Sequence, residues 1–357
     1  MPEIFLREEM SPLLNFIVNG GNLFAWLIGG LQDTEIMKNR FKLAYSGAFT
    51  DVACYDEMSH QHYNYIATNL LDGLDLKGMR VLDVGCGTGI VSSQIIERGA
   101  TSLVSGDQSE FMLNQWKKKA AGNKKVEFHL LDAENLPFPN GEFDVVVSSM
   151  VMGQIPNQLK CLSEMRRVLK PDGILAISTH GTRHYLNILE INLMVCIKKA
   201  MWELIGYRPE YWPWNEKISY KYLDKSGFKD QKVRRLTWVD EFGLPEKAWQ
   251  FYSSTTGLWW CERFSKEKSK LIEQITLDEM KRKKITNVIM DVVFWTYPTI
   301  VDKSLSCKFK FFHFAWRSVA NGRMNTLSII KLFNIRKDAL SCLGSIPIIM
   351  VEDVLFL

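Results

Sequence analysis

The stretch VLDVGCGTGI, residues 81–90, places three glycines at alternate positions directly after a short apolar run. Glycine has no Cβ, so Gly85, Gly87 and Gly89 would let the backbone turn tightly and contact a ligand closely. The spacing is GxGxG rather than the GxGxxG of dinucleotide-binding loops, with Ile90 where the last glycine would fall, and the lysine of a Walker loop is missing. The loop therefore predicts a ligand site that does not cradle phosphates; the alternative is a tight turn without a ligand.

Two aspartates follow the next two apolar runs of the chain. Asp107, in SLVSGDQSEFM, lies 18 residues beyond Gly89, and its carboxylate can accept hydrogen bonds from both hydroxyls of a ribose. Asp132, in HLLDAENLPF, can accept from an adenine amino group, while the amide of Ala133 can donate to the ring. Either aspartate alone is typical of a helix cap or turn. Together, at successive strand ends beside a glycine loop, they predict a nucleoside site.

The elements that must position these residues follow from the alternation of short apolar runs with amphipathic runs. Strands are predicted over residues 80–84, 102–106, 126–131, 143–148, 174–179, 232–240 and 285–297. Helices are predicted over residues 90–97, 109–121, 157–169, 185–205 and 220–225, with a helical insert over 245–283. Strands separated by helices indicate parallel pairing with right-handed crossovers and helices on both faces. The predicted fold class is therefore α/β, a doubly wound sheet of seven mostly parallel strands.

Three regions are predicted along the chain. Residues 1–58 form an N-terminal helical lid region, residues 59–300 form the main domain with acceptor-shaping inserts at about 181–283, and residues 301–357 form a tail of unknown role. The apolar segment 11–31 contains asparagines and glycines and follows an acidic flank, so a lid or packing helix is favoured over membrane contact.

Composition narrows the class of protein further. Of 357 residues, 44 are Lys or Arg and 40 are Asp or Glu, and the net charge of +4 falls in residues 301–357. The first 300 residues are neutral, so no nucleic-acid partner is expected for the main body. Seven scattered cysteines without a CxxC pair argue against a disulfide framework and a metal site. They predict a reducing, cytoplasmic location.

At the glycine loop and the two aspartates, the sequence resembles the class I S-adenosylmethionine-dependent methyltransferases. It is most similar to the small-molecule branch that includes the ubiquinone and menaquinone biosynthesis methyltransferases. VLDVGCGTG matches the family's first motif and GDQSEFM its ribose-binding strand end. LDAENLPFPNGEFDVVVSS matches its adenine and fourth-strand motifs, and RRVLKPDGILAIS its fifth-strand motif. The resemblance covers residues 80–180 closely and residues 45–79 and 218–298 more loosely.

The resemblance implies S-adenosylmethionine as the cofactor and a small organic molecule as the acceptor, methylated at oxygen, nitrogen or carbon by in-line displacement. It implies these cofactor contacts: Asp83, Gly85, Cys86, Gly87 and Gly89 for the methionine end, Asp107 and Gln108 for the ribose, Asp132 and Ala133 for the adenine, and Ser149 and Met150 beside the methyl group. No metal is required for such a displacement, in which alignment of the acceptor and exclusion of water are the larger effects.

A general base is useful where the acceptor is a hydroxyl or an acidic carbon. Many relatives carry histidines in the segment that matches MVMGQIPN, where this chain has Gly153 and Gln154 and so departs from the family pattern. His180 directly follows the fifth predicted strand in ISTHGTRHY, at the ligand-facing edge of the sheet. We therefore predict His180 as the candidate base or acceptor contact.

The acceptor pocket is predicted from Gln154 and from two regions outside the strand ends. Tyr45 and Tyr55 lie where relatives have a lid with tyrosines near the methyl group. Trp212 and Trp214 belong to a group of seven tryptophans between residues 202 and 260, for which core packing is the alternative explanation. They could line an apolar acceptor site or hold a cationic amine.

Two other functions remain open at the level of sequence. Methylation of protein or RNA is less favoured, because the main body is neutral and no substrate-binding module is recognisable. A non-catalytic binding or scaffold protein of this fold would be expected to lose the glycine loop or the ribose carboxylate, and both are present. The sequence makes no prediction of the oligomeric state.

Overall fold

The structure is a computed structural model that describes residues 62–204, 216–228, 231–255 and 264–297. The chain divides into two units, Met1–Ile300 and Val301–Leu357, and every described residue belongs to the first. The predicted lid over residues 1–58, the apolar segment 11–31 and the tail over 301–357 lie outside the described residues.

Seven strands form one sheet. They are β1 (Arg80–Val84), β2 (Ser102–Asp107), β3 (Val126–Leu130), β4 (Phe143–Ser149), β5 (Leu169–His180), β6 (Lys232–Glu241) and β7 (Asn287–Tyr297). Their order across the sheet is β3-β2-β1-β4-β5-β7-β6. The first five strands are parallel, and β7 lies antiparallel between β5 and β6. The predicted seven-stranded, mostly parallel, doubly wound sheet is confirmed.

The helices connect the strands and cover both faces of the sheet. They are α1 (residues 62–70), α2 (Ile90–Glu97), α3 (Glu110–Ala120), α4 (Gln158–Val168), α5 (Leu186–Leu204), α6 (Glu216–Lys225), α7 (Pro245–Thr255) and α8 (Lys266–Lys283). Ser109 and Asn157 cap α3 and α4, because their side chains accept the backbone N–H groups of Met112 and Lys160. Within the described ranges, no helix has both the length and the apolar content that crossing a membrane requires.

Adjacent residues of each central strand pack into opposite layers of the core. Val81 of β1 belongs to the layer that contains Ile66 of α1 and Ile95 of α2, whereas Leu82 belongs to the layer that contains Leu162 of α4. Parallel strands buried on both faces have apolar interiors, as the three valines of FDVVVSS illustrate in β4. Polar groups are therefore concentrated at the strand ends, where the site lies.

The observed elements differ from the predicted ones in the region after α4. β5 begins at Leu169 rather than at residue 174, because Leu169 pairs with Phe143 before a register shift that precedes the pairing of Val145 with Ile174. The predicted insert over 245–283 contains two helices, α7 and α8, with residues 256–263 between them outside the described residues. α5 contains a non-helical residue, Ala200, with φ −149°.

Candidate active site

One cavity, of about 150 Å³, opens at the carboxyl ends of the parallel strands. β1 and β4 are neighbours, with β2 and β3 on one side and β5 on the other, so the strand order reverses between β1 and β4. In sheets of this kind, ligands bind at the carboxyl ends of the strands where the order reverses. The cavity therefore lies where the topology predicts a site, and the ends of all five parallel strands contribute to its wall.

The three positions of the loop after β1 require glycine for different structural reasons. All have positive φ, at 77° for Gly85, 53° for Gly87 and 88° for Gly89. A Cβ on Gly85 would lie 2.3 Å from the side chain of Val151, and one on Gly89 would lie 2.1 Å from the ring of Trp116. A Cβ on Gly87 would meet nothing within 4 Å. Gly85 and Gly89 thus make room for protein side chains, whereas Gly87 leaves open space at the cavity.

The glycine loop is fixed to the end of β2. The amides of Gly85 and Cys86 both donate to the carbonyl oxygen of Gly106, at 2.7 and 3.0 Å. The amide of Gly87 donates to Oδ2 of Asp107 at 2.8 Å, and the amide of Ser109 donates to Oδ1 of the same carboxylate at 2.8 Å. Asp107 therefore holds the loop in place, and because the backbone of Gln108 also bonds to it, the carboxylate keeps only part of its accepting capacity for a ligand.

Burial raises the pKa of Asp107, and this effect outweighs the backbone hydrogen bonds that lower it. A donor that approaches the remaining lone pairs would favour the charged form. The carboxylate is thus a strong acceptor that the protein itself satisfies only in part, which suits a pair of ribose hydroxyls.

Asp83 lies beneath the glycine loop, and neither it nor Gly89 lines the cavity. Its Oδ2 accepts from Ser92 Oγ at 2.7 Å, and Ser92 Oγ lies 2.8 Å from Ser105 Oγ, which accepts from Trp116 Nε1 at 3.0 Å. Its Oδ1 is buried without a hydrogen-bond partner. Burial raises the pKa of Asp83 to about 7, and the charge of Asp107 adds to this effect.

The end of β3 contributes a short turn to the cavity. Asp132 is exposed and accepts from the amide of Glu134 at 2.9 Å, and Asp132 and Ala133 both line the cavity. Glu134 is buried, and its Oε1 accepts from the amide of Asn157, the cap residue of α4, at 2.9 Å. Glu134 lines the cavity and was not predicted, because a lone glutamate in a turn carries no distinctive spacing.

The ends of β4 and β5 form the other wall. Ser149 Oγ and Ser178 Oγ lie 2.9 Å apart, and the amide of Met150 donates to the carbonyl oxygen of Ser178 at 2.8 Å. Met150 has φ 61°, in the left-handed region that an unbranched but bulky side chain rarely occupies. Such strain is maintained only where the surroundings fix it, and it is concentrated at functional sites.

His180 is the last residue of β5 and lines the cavity with only 3% of its surface exposed. The ring of His184 packs edge-on against it, with ring centroids 4.6 Å apart and an interplanar angle of 82°. Gln154 lines the cavity from the turn after β4, where relatives were expected to carry histidine. The structure therefore brings His180 and Gln154 to the same cavity as Ser149 and Met150.

Most predicted cofactor residues that the structure describes line this one cavity: Gly85, Cys86, Gly87, Asp107, Gln108, Asp132, Ala133, Ser149 and Met150. Four predicted acceptor residues, Tyr45, Tyr55, Trp212 and Trp214, lie outside the described residues. Sequence reasoning missed several lining residues: Tyr63, Thr88, Ile90, Met112, Glu134, Val151, Ile155 and Pro156. Tyr63 could have been found from the loosely matching segment before β1, because it follows the histidines of DEMSHQHYNY.

The site fits a cationic nucleoside without phosphates. Its aspartate and glutamate side chains come from Asp107, Asp132 and Glu134, and no lysine or arginine is among the described residues that line it. An acidic wall favours a positively charged sulfonium and disfavours a polyphosphate. The open space at Gly87 admits a close ligand. In the part of the chain that the structure describes, no group of three His, Cys, Asp or Glu side chains could hold a metal ion.

Comparison with known proteins agrees with this geometry. A family described as a methyltransferase domain matches residues 75–234. A demethylmenaquinone methyltransferase of Clavibacter sepedonicus is 32% identical over 172 residues, which are 45% of this chain and 69% of the relative. The enzyme of the same name from Staphylococcus epidermidis is 30% identical over 175 residues, covering 45% of this chain and 72% of the relative.

Among solved structures, a phosphoethanolamine N-methyltransferase of Haemonchus contortus in complex with S-adenosyl-L-methionine is 18% identical. The match covers 75% of this chain and 60% of the Haemonchus contortus chain, with a TM-score of 0.46.

Proposed function

Since the chain belongs to the class I S-adenosylmethionine-dependent methyltransferases, we propose that it methylates a small organic acceptor bound in the cavity described above. The proposal is carried by one observation: a single cavity is lined both by the glycine loop with Asp107 and by Ser149, Met150 and His180. One wall has the groups that a nucleoside needs, and the other has polar and apolar groups suited to a second molecule.

The donor is assigned to the wall formed by β1, β2 and β3. Bound S-adenosylmethionine supplies an electrophilic methyl group on a positively charged sulfur. The backbone at Gly85, Cys86 and Gly87 would hold its methionine end, and Asp107 with Gln108 would hold the ribose. Asp132 and the amide of Ala133 would hold the adenine. Asp83 and Gly89 act beneath this wall by holding the loop and the start of α2 in place.

The acceptor is assigned to the wall that includes Tyr63, Gln154 and His180. Tyr63 and Gln154 can donate and accept hydrogen bonds, and Ile155 and Pro156 add apolar surface. Such a lining suits a flat organic ring that carries oxygen substituents. The relatives named demethylmenaquinone methyltransferases support a quinone-like acceptor as the first candidate.

His180 is assigned as the group that receives the proton of the acceptor. A neutral imidazole can accept a proton from a hydroxyl or an acidic carbon as the methyl group arrives, and such a base contributes about 10²- to 10⁴-fold in rate. The enclosed position of His180, which is 3% exposed, limits exchange of that proton with bulk water. His180→Gln is therefore expected to lower kcat for an acceptor that must lose a proton.

The reducing environment of the cytoplasm is proposed as the location of the reaction. Cys86, Cys161 and Cys196 are buried free thiols, which suits a reducing compartment.

The donor half of the proposal is tested by calorimetric titration with S-adenosylmethionine and S-adenosylhomocysteine. We expect Asp107→Ala to weaken binding at least tenfold, because it removes a charge-assisted acceptor and releases the amide of Gly87. Asp144→Asn is the matched control: Asp144 is a half-buried carboxylate of the same sheet that accepts from the amide of Arg80, at the opposite end of the strands. If neither cofactor bound the wild-type chain, the proposal would fail.

The acceptor half is tested with methyl-labelled S-adenosylmethionine. Demethylmenaquinone in its oxidised and reduced forms and a panel of small metabolites are offered as acceptors, with total protein and total RNA in parallel. Label in the small-molecule fraction that is lost in His180→Gln supports the proposal. Label only in protein or RNA would replace it with methylation of a macromolecule, and cofactor binding without any transfer would indicate a binding role.

A further inference from the structure

The chain does not leave the sheet after His180 but continues to bond along β7. The amide of Gly181 donates to the carbonyl oxygen of Asp291 at 2.8 Å, and the amide of Tyr185 donates to that of Ile289 at 2.8 Å. Oδ1 of Asn187 accepts from the amide of Ile289 at 3.2 Å. These bonds hold the turn over residues 181–185 and the first turn of α5 against β7, and the turn begins at the residue next to His180.

The centre of this arrangement is the carboxylate of Asp291, which is fully buried. It accepts four hydrogen bonds: from Arg235 Nε at 2.8 Å, Arg235 Nη2 at 2.6 Å, Thr237 Oγ1 at 2.8 Å and the amide of Arg183 at 2.7 Å. Burial alone would raise the pKa of Asp291, but the bonds from Arg235 and the other donors outweigh it and lower the pKa. The group is therefore a charged carboxylate paired in bidentate fashion with an arginine.

The same pair fixes the turn after His180 from two sides. Arg235 Nη2 also donates to Thr182 Oγ1 at 2.8 Å. The backbone of Gly181 lies so close to the carboxylate that a Cβ there would be 2.2 Å from Oδ2 of Asp291. Three consecutive residues, 181 to 183, therefore contact one ion pair whose members come from β6 and β7.

The ring of His184 connects this turn to the cavity. Its Nδ1 lies 2.8 Å from the carbonyl oxygen of Asp291 and 3.1 Å from the amide nitrogen of the same residue. Its ring packs edge-on against His180, at 4.6 Å between centroids. The backbone of Asp291 thus fixes the imidazole that sets one side of His180.

We propose that the Arg235–Asp291 pair is a positioning device for His180, holding the turn that follows it and the ring of His184 so that the His180 imidazole faces the acceptor. The inference rests on the proposed role of His180 in methyl transfer. Arg235, Thr237 and Asp291 are positioning residues, since none of them lines the cavity.

The variant that tests the device is Arg235→Lys. Lysine keeps the positive charge but presents a single ammonium group, which cannot replace the planar fork that bonds both oxygens of Asp291 and the hydroxyl of Thr182. Thr237→Val is a milder second variant that removes one donor to the same carboxylate. Arg234→Lys is the matched control on the same strand, because Arg234 stacks over Phe294 at 4.5 Å and bonds to the carbonyl of Asn69.

The first measurement needs no acceptor. The C2–H resonance of His180, assigned by its loss in His180→Gln, is recorded with and without S-adenosylhomocysteine. We expect it to shift and broaden in Arg235→Lys and, to a smaller extent, in Thr237→Val, while Arg234→Lys leaves it unchanged. An unchanged resonance in both Arg235→Lys and Thr237→Val would overturn the proposal.

The second measurement is a double-mutant cycle on kcat, with the acceptor that gives transfer in the labelling assay. A misplaced catalytic group lowers the rate without weakening binding, so we expect Arg235→Lys to reduce kcat about tenfold, with the KM for S-adenosylmethionine within about twofold. In the His180→Gln background the same change should reduce kcat by less than about twofold, because coupled residues are not additive.

The outcomes separate this proposal from the one on which it rests. If His180→Gln leaves kcat unchanged, the proposed role of His180 is wrong, and the resonance still decides whether the ion pair positions the ring. If His180→Gln lowers kcat but Arg235→Lys causes the same loss in both backgrounds, the ion pair does not act through His180 and the positioning proposal is wrong.

Discussion

Replacing Asp83 by asparagine should flatten the pH dependence of stability between pH 4 and pH 7. Asp83 is 1% exposed, and burial raises its pKa from 3.8 to about 7. The folded state therefore keeps a proton that the unfolded state releases above pH 4. The stability that this proton provides is present below pH 4 and is lost as the pH rises through 7.

The magnitude follows from the shift. A change from 3.8 to about 7, at about 1.4 kcal/mol per pKa unit, corresponds to a loss of stability on the order of 4 kcal/mol. Asparagine is neutral throughout, so the variant should lack this loss. Its amide leaves one buried polar group without a partner, which costs about 1–3 kcal/mol. The variant should then be less stable than wild type at pH 4.5 and equally or more stable at pH 8.

The assay is urea denaturation of both proteins without cofactor at half-unit steps from pH 4.5 to pH 8, with the m-value checked for constancy. Asp144→Asn is the control, because a carboxylate whose folded pKa lies below 3.8 adds no pH dependence between pH 4.5 and pH 8; its stability curve should therefore run parallel to that of wild type. Burial would raise the pKa of Asp144, but its hydrogen bonds with Lys170 and with the amide of Arg80 lower it instead. Parallel stability curves for wild type and Asp83→Asn would refute the reasoning and show that Asp83 is charged in the folded protein at pH 5.

Three further changes test the glycine loop and its support. Gly89→Ala should destabilise the fold by about 2 kcal/mol or more, because the new Cβ would collide with Trp116; thermal denaturation measures it. Gly87→Ala should destabilise the fold by only about 1 kcal/mol but weaken the binding of S-adenosylmethionine in a calorimetric titration. A larger loss of stability in Gly87→Ala than in Gly89→Ala would contradict the assignment of these glycines. Trp116→Phe keeps an aromatic ring over Gly89 but loses the hydrogen bond to Ser105. We expect urea denaturation to show a free energy of unfolding lower by about 1 kcal/mol; an unchanged value would show that the bond contributes nothing.

The donor side of the site was predictable because its signals are local. Gly85, Gly87, Asp107 and Asp132 lie at or just after the ends of β1, β2 and β3, and parallel strands bring such ends together at one edge. The sequence did not show why each position requires its residue type. Gly89 has the same spacing as Gly87, yet it accommodates Trp116, which lies on the next helix.

The antiparallel end of the sheet shows why the rest was not predictable. The sequence indicated strands near residues 232–240 and 285–297, but the insertion of β7 between β5 and β6 depends on pairings across more than 100 residues. The contact of Arg183 with Asp291 spans 108 residues and that of Arg235 with Asp291 spans 56. An isolated aspartate in the apolar run ITNVIMDVVFWTY carries no spacing that names its partners.

One side of the cavity is held by bonds between neighbouring strand ends and the other by bonds that span many residues, so the two sides can change separately. The proposed donor wall is formed by the ends of β1, β2 and β3 and the turns after them, and its bonds join neighbouring strand ends, as the bond from Gly87 to Asp107 does. The proposed acceptor wall includes His180, which β6 and β7 contact through the turn after it and through the ring of His184. Substitutions in the antiparallel strands β6 and β7 can therefore move the proposed acceptor wall while the proposed donor wall stays intact.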